Sequence, residues 1–240
     1  MAERAFSGIE RLFGANTFEK FQQRHLCIIG VGGVGSWAVE ALARSAIGQL
    51  TLIDLDHISE SNINRQLPAL QSTLGQAKVI ALKHRILDIN PHCQVNIIED
   101  FIQKDNLTQI IPQNSHYILD CIDNAKIKSA LIAWCKQQNM PLIVSGSAGG
   151  KINPQNIRIT DLRDSEYDPL LSRIRKQLKT DYRFSRNLKT KFKVPVVWSA
   201  EHIKKPISGD SSLNCAGFGS FTPVTAGFGM AMAAYVLQQF

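Results

Sequence analysis

Short apolar runs alternate with amphipathic stretches along the first 150 residues. His25-Leu-Cys-Ile-Ile-Gly30 is a continuous apolar run that stops at glycine, the pattern of a buried strand. Val34 to Ile47 then shows a helical period with small residues facing that strand, and Gln49 to Asp56 alternates into a second strand, so together they make a βαβ unit. Gly75 to Asn90 predicts a helix with Ala77, Ile80, Ala81, His84 and Leu87 on one stripe, closed by Pro91. Strands follow at Gln94 to Ile98, Tyr117 to Ile122 and Pro141 to Ser145, with a helix at Lys126 to Gln138. Such alternation predicts a Rossmann-like α/β fold, a doubly wound, mainly parallel sheet whose ligands sit at the carboxyl ends of its strands. Beyond Lys151 the pattern loosens into irregular strands at Ile157 to Thr160 and Val194 to Ser199. No repeat or low-complexity linker intervenes, so residues 151–240 are expected to continue the unit of residues 1–150 within one integrated domain.

Charge changes this picture in one place. The 240 residues carry a formal net charge of +7, yet nine cations stand against one anion, Asp181, in a single stretch. They are Arg173, Arg175, Lys176, Lys179, Arg183, Arg186, Lys189, Lys191 and Lys193, and the rest of the chain is close to neutral. A local excess of this kind points to contact with a polyanion. Asp168-Pro169 can cap and open a helix on which Arg173, Lys176, Lys179 and Arg183 recur at spacings of three to four. Arg186, Lys189, Lys191 and Lys193 are interleaved with Phe184 and Phe192, which suits a mobile arm that pairs phosphates and stacks on unpaired bases. Residues 211–240 lack Asp, Glu, Lys and Arg altogether, and the apolar stretch Val224 to Leu237 is too short for a bilayer, which takes roughly 20 residues. A buried or interfacial C-terminal helix is expected there.

The N-terminus, Met1 to Gly14, carries charges throughout and shows no apolar signal core, so the expected setting is cytoplasmic, membrane-associated should the native chain extend past Phe240. Five cysteines, an odd number with no C-x-x-C spacing, argue against a disulfide framework and a four-thiolate zinc site. Cys27, Cys121 and Cys135 read as inert core thiols, and Cys93 is uninformative. Only Cys215, in a Ser/Gly-rich stretch, has a setting for reactivity; a relay role there would bring in a cysteine desulfurase or sulfur-acceptor system as partner. The six scattered histidines show no metal spacing.

Candidate chemistry starts at Gly30-Val-Gly-Gly-Val-Gly35, between the first strand and its helix, where glycines allow a tight turn and close approach of backbone amides to phosphate. The acid that ends the second strand, Asp54, would serve NAD as readily as ATP. Asp54-Leu-Asp56, Ser61-Asn-Ile-Asn-Arg-Gln66 and Gly75-Gln-Ala-Lys78 then add two cations, Arg65 and Lys78, that suit a triphosphate better than a pyrophosphate bridge.

The order G-x-G-G-x-G, D-x-D, S-N-x-N-R-Q, G-x-A-K and Asp120-Cys-Ile-Asp-Asn124 resembles the ubiquitin-activating-enzyme-like superfamily, over about residues 8–150. Within it the chain looks most like the tRNA threonylcarbamoyladenosine dehydratases, and Asn214-Cys-Ala-Gly-Phe-Gly-Ser220 adds a local match to that branch. The resemblance implies that Gly30, Gly32, Gly33 and Gly35 approach ATP, that Asp54 holds its ribose, and that Asn62, Arg65 and Lys78 contact the phosphates. Asp123 matches the family's magnesium ligand, a monovalent cation is a further candidate, and Arg11 matches an arginine supplied across a homodimer interface to the partner's nucleotide. Asp120 reads as a strand-end cap. The implied reaction is ATP-dependent adenylation of a threonyl carboxylate on tRNA, followed by cyclisation with loss of AMP; the implied polyanion is tRNA and not DNA. Two other readings stay open: an adenylyltransferase for a ubiquitin-like sulfur carrier, whose common C-x-x-C zinc motifs this chain lacks, and a non-catalytic ATP- or RNA-binding protein.

Overall fold

The computed structural model describes residues 4–187, 189–204 and 218–240. Two short helices, α1 (Ser7–Phe13) and α2 (Ala15–Gln22), lead into β1 (His25–Ile29), α3 (Gly35–Arg44) and β2 (Gln49–Ile53). Next come α4 (Lys78–Ile89), β3 (Gln94–Ile98), the single turn α5 (Leu107–Ile110), β4 (Tyr117–Asp120), α6 (Ala125–Gln137) and β5 (Leu142–Ser145). The chain closes with β6 (Ile157–Asp161), α7 (Pro169–Asp181), β7 (Pro195–Ser199) and α8 (Thr222–Leu237). One seven-stranded sheet runs in the order β3-β2-β1-β4-β5-β7-β6, parallel except for β6 against β7. The two strands beyond residue 150 therefore extend the same sheet.

Alternation along the strands sorts the core into two layers. Leu26, Ile28, Leu50, Leu52, Leu119, Ile143 and Val197 face α3, α4 and α8. Cys27, Ile29, Ile118, Leu142, Val144, Val196 and Trp198 face α6 and α7. The uncharged C-terminal stretch is α8, which buries Val224, Phe228, Met232 and Val236 in the first layer. Among the described residues no helix is long and apolar enough to cross a membrane.

Two boundaries differ from the sequence expectation. β2 stops at Ile53, because the Asp54 carboxylate accepts the N–H of Asp56 and turns the chain. Helix α4 begins only at Lys78, since Gly75 sits at φ +83° and Ala77 is paired to His57. Its inward stripe is Val79, Leu82 and Ile86, with Ile80 and His84 turned outward. Longer aliphatic chains fill the layer better than the expected stripe through Ala77 and Ala81.

The basic stretch departs further. Its helix opens as expected, with Asp168 Oδ1 accepting the Leu171 N–H at 3.0 Å. Arg173 and Lys176 are exposed on its outer face. Arg175 is not on that face: its Nη1 donates to the carbonyls of Leu162 and Ser165, at 3.2 and 2.8 Å. Burial also pushes its guanidinium below the ordinary range. Nor do the described residues form a mobile arm with free aromatics. Phe184 and Phe192 stack on each other at 5.8 Å, Phe192 is only 5% exposed, and Lys136 lies 4.8 Å over the Phe184 ring. The Asp161 carboxylate accepts the N–H groups of Phe192, Lys193 and Val194, and Arg163 Nη1 donates to the Lys189 carbonyl at 2.6 Å. The rings complete the second layer, so they are not offered to a base.

Candidate nucleotide site

The strand order reverses between β1 and β4, and a cleft of about 1000 Å³ opens at their carboxyl ends. Its floor is the loop after β1. Gly30 holds φ +81°, and a Cβ there would sit 3.1 Å from the Cys121 carbonyl, so a side chain is both strained and crowded. Gly32 and Gly33 line the cleft beneath the start of α3, where the positive end of the helix favours an anion. Gly35 does not line it. A Cβ at Gly35 would run into the Gly30 carbonyl oxygen, so this glycine serves the close approach of helix to strand and not the ligand.

Polar groups around this floor are held by backbone. Asp54 Oδ2 accepts the Val31 N–H at 2.8 Å and Oδ1 that of Asp56 at 2.9 Å, which leaves further lone pairs toward the cleft. Burial pushes its carboxyl above the ordinary range, against the pull of Lys78. Lys78 is only 4% exposed, and its Nζ reaches Asp56 Oδ2 at 2.7 Å. Asn62 is buried, with Oδ1 spent on the Ser59 N–H, while Arg65 Nη1 rests on the Ser61 carbonyl and Asn64 Oδ1. The main chain at Asn64 and Arg65 is clamped from two helices. Trp37 Nε1 donates to its carbonyl from α3 at 3.0 Å, and Thr222 Oγ1 of α8 bonds the Asn64 carbonyl at 2.8 Å.

The far side is the turn after β4. Cys121 N–H donates to the Ile29 carbonyl at 2.8 Å, Asn124 Oδ1 caps α6, and the exposed Asp123 lines the cleft between them. Beneath it lies an ion pair with both side chains fully buried. Lys128 Nζ reaches Asp120 Oδ1 at 2.9 Å and the Asp120 carbonyl at 3.1 Å, and Oδ1 also accepts the Ile122 N–H. Burial pushes the Asp120 carboxyl up, and Lys128 offsets this only in part. Asp120 is thus the structural cap expected, with an ammonium partner that the sequence did not reveal. Burial pushes the Cys121 thiol up to about 12, as befits an inert thiol.

Gly30, Gly32, Gly33, Asp54, Asn62, Arg65, Lys78 and Asp123 therefore meet in one cleft. Arg11 is exposed on α1, and neither it nor any cation from Arg173 to Lys193 lines this cleft. Cys215 and Asn214 to Gly217 lie outside the described residues, but Gly219 and Ser220 line the cleft. Sequence reasoning missed the Ser145–Gly149 wall, whose signal was a run of small residues directly after a strand. It also missed Asp56 as the counter-ion of Lys78.

A glycine loop, an acid after the second strand and two cations at the switch point define a nucleotide-binding Rossmann-like protein. Residues 7–239 match the ThiF family, and the chain belongs to it. It is 45% identical to the tRNA threonylcarbamoyladenosine dehydratase of Haemophilus influenzae, covering 99% of this chain and 93% of that one. Identity to the Escherichia coli K12 protein of the same name is 40%, over 98% and 92%. The crystal structure of the E. coli enzyme, TcdA, in complex with ATP matches with a TM-score of 0.92 at 41% identity, over 98% of this chain and 93% of that one.

Proposed function

We propose that this chain is an ATP-dependent tRNA threonylcarbamoyladenosine dehydratase. The observation that carries the reading is the convergence of the glycine loop, Asp54, Arg65, Lys78 and Asp123 at one switch point, in a chain similar over nearly its full length to curated dehydratases. The threonyl carboxylate, already ionised at neutral pH, attacks the α-phosphorus of ATP and pyrophosphate leaves. An internal nucleophile of the same modified adenosine then attacks the acyl carbon and AMP leaves, so the product has lost one water. The first step needs no protein base, the proton released on ring closure passes to solvent or to the departing phosphate, and the work of the chain is positioning and charge stabilisation. The loop amides and Lys78 hold the phosphates, Arg65 meets the charge that grows on pyrophosphate, and Asp54 holds the ribose.

A magnesium ion fits this site in one manner. Among the described residues no group of three or more His, Cys, Asp or Glu could hold a metal, so a protein cage is not available. Asp123, exposed on the cleft wall, supplies a single carboxylate, which suits an ion shared with phosphate oxygens. Bound there, the ion would neutralise phosphate charge.

Arg11 serves the cleft of a second copy. It is exposed, outside its own cleft, and followed by Leu12, which is 75% exposed on the same short helix. Mixing an Arg11→Ala protein with a Lys78→Ala protein then restores activity through heterodimers with one intact site. Recovery absent despite proven subunit exchange removes the assignment. A reaction that consumes ATP and tRNA fits a cytoplasmic setting.

The test of the whole reading is mass spectrometry of tRNA nucleosides after incubation with the protein and Mg-ATP. Conversion to the cyclic nucleoside with release of AMP is expected. Unchanged nucleoside, with AMP formed only when a diglycine-tailed sulfur carrier is added, would overturn it.

A further inference from the structure

Behind the Ser145–Gly149 wall lies a second pocket of about 380 Å³, lined by Tyr167, Pro169, Ser172, Arg175, His202 and Ile203. It adjoins the nucleotide cleft, since Asp168 and Pro169 line the pocket and the next residue, Leu170, lines the cleft. Asp168 Oδ2 accepts the N–H of Ser147, a cleft residue, at 2.8 Å, and Ile203 packs against Gly150 next to the cleft-lining Gly149. Tyr167 is 47% exposed at the rim of this pocket, its ring 4.0 Å from that of the exposed His202. Its backbone takes φ +51°, uncommon for a residue with a large side chain, and buried Lys151 donates to its carbonyl at 3.2 Å. An aromatic pair held outward in this manner gains nothing for the core, since neither layer includes it.

The surroundings indicate the occupant. From this pocket α7 runs toward the amino ends of the parallel strands, and Arg173 and Lys176 stand exposed along it, one turn and two turns in from Pro169. A cationic track that ends at an exposed aromatic pair beside a nucleotide cleft is the arrangement that grips single-stranded nucleic acid: cations follow the backbone and rings take the bases. Sequence-specific contact with RNA loops works by unstacking bases onto such rings.

We propose that Tyr167 and His202 form a subsite for an unpaired nucleobase of the tRNA loop, next to the adenosine whose carboxylate is activated in the cleft. The inference rests on the dehydratase reading and adds to it the surface that selects the loop. It also moves base stacking from Phe184 and Phe192, whose rings are spent on each other, to the cleft end of α7.

The experiment uses the full chain and an anticodon stem-loop RNA that carries the threonylcarbamoyl adenosine, with 2-aminopurine at the neighbouring loop position. Wild-type protein is expected to quench the probe on binding. Tyr167→Leu, which keeps bulk without a ring, and the Tyr167→Leu/His202→Ala pair should bind the loop roughly 5- to 150-fold more weakly and lose the quenching. Tyr167→Phe should restore both, and ATP affinity should hold throughout, which separates a lost subsite from a misfolded chain. Wild-type affinity and quenching in the double variant, with wild-type turnover of the RNA intact, overturns the subsite alone. A wild-type protein that neither binds nor converts the RNA overturns the dehydratase reading together with it.

Discussion

The two ends of α6 and α7 use the same residue types in opposite ways. At the cleft end, charged groups are anchored by backbone and still face open volume: Asp54 by two amides, Arg65 through a main chain clamped from α3 and α8, and Asp123 on a turn stapled to β1. About 20 Å away, as 13 helical residues require, the rings and backbone amides of the basic stretch are taken up by the fold, while Arg183, Arg186, Lys189 and Lys191 stay exposed. Phe184 and Phe192 stack together, Asp161 takes three amides, and Lys136 and Lys179 lie over the rings. A site differs from a well-tied loop in what remains unspent after folding, and not in composition.

The largest effect is expected where the cleft end is most deeply braced. Lys128→Met leaves Asp120 as a buried carboxylate without its ammonium, which costs about 3–5 kcal/mol of stability. The double variant Asp120→Asn/Lys128→Met should recover much of that loss, because an uncharged pair of similar shape escapes the burial penalty. Urea unfolding of the two proteins checks this. Equal stability of the single variant and wild type would mean that the turn carrying Asp123 does not depend on the pair.

Next in size are the groups that face the cleft. Lys78→Ala and Arg65→Ala should each lower turnover by roughly 10²–10³-fold, the loss seen when one preorganised charge stabiliser is removed. Lys78→Ala also frees Asp56 to repel phosphate, so its Mg-ATP affinity should fall further than that of Arg65→Ala. Asp123→Asn should lose activity that added magnesium partly restores. AMP release at the wild-type rate by the first two variants would put the cleft end in the same class as the loop end.

How much of this was legible beforehand follows from what each feature depends on. Phosphate chemistry calls for glycines and an acid next to strand ends, so Gly30, Gly32, Gly33 and Asp54 could be read along the chain, whereas Arg65, Lys78 and Asp123 were singled out by the family resemblance, and the fold brings all seven into one cleft. Gly35 looked the same in sequence, but the close approach of α3 to Gly30 governs it. The alternation of cations with Phe184 and Phe192 fits a base-stacking arm and a self-packed loop equally well. Only the layer under α6 and α7 decides between them, by taking the rings. The Ser145–Gly149 wall and the Asp120–Lys128 pair depend on where distant segments meet, which no local pattern records.

The smallest effect concerns the cations that link the two ends, and it asks how far tRNA extends along them. Arg173 and Lys176 lie on the outer face of α7 near the cleft end, whereas Arg183, Arg186, Lys189 and Lys191 are exposed at the far edge. Removing a cation that pairs with one phosphate should lower the salt slope of binding by roughly 0.7–0.9. Arg173→Ala/Lys176→Ala is therefore expected to flatten the slope for full-length tRNA and for an isolated anticodon stem-loop alike. The far-edge set should change only full-length tRNA, because a short stem-loop seated at the cleft does not cover the extra 20 Å or so of α7. ATP affinity should be unaltered in both variants. If the far-edge variant binds full-length tRNA with the wild-type slope, those four cations are solvated, and the RNA surface ends with the track on α7.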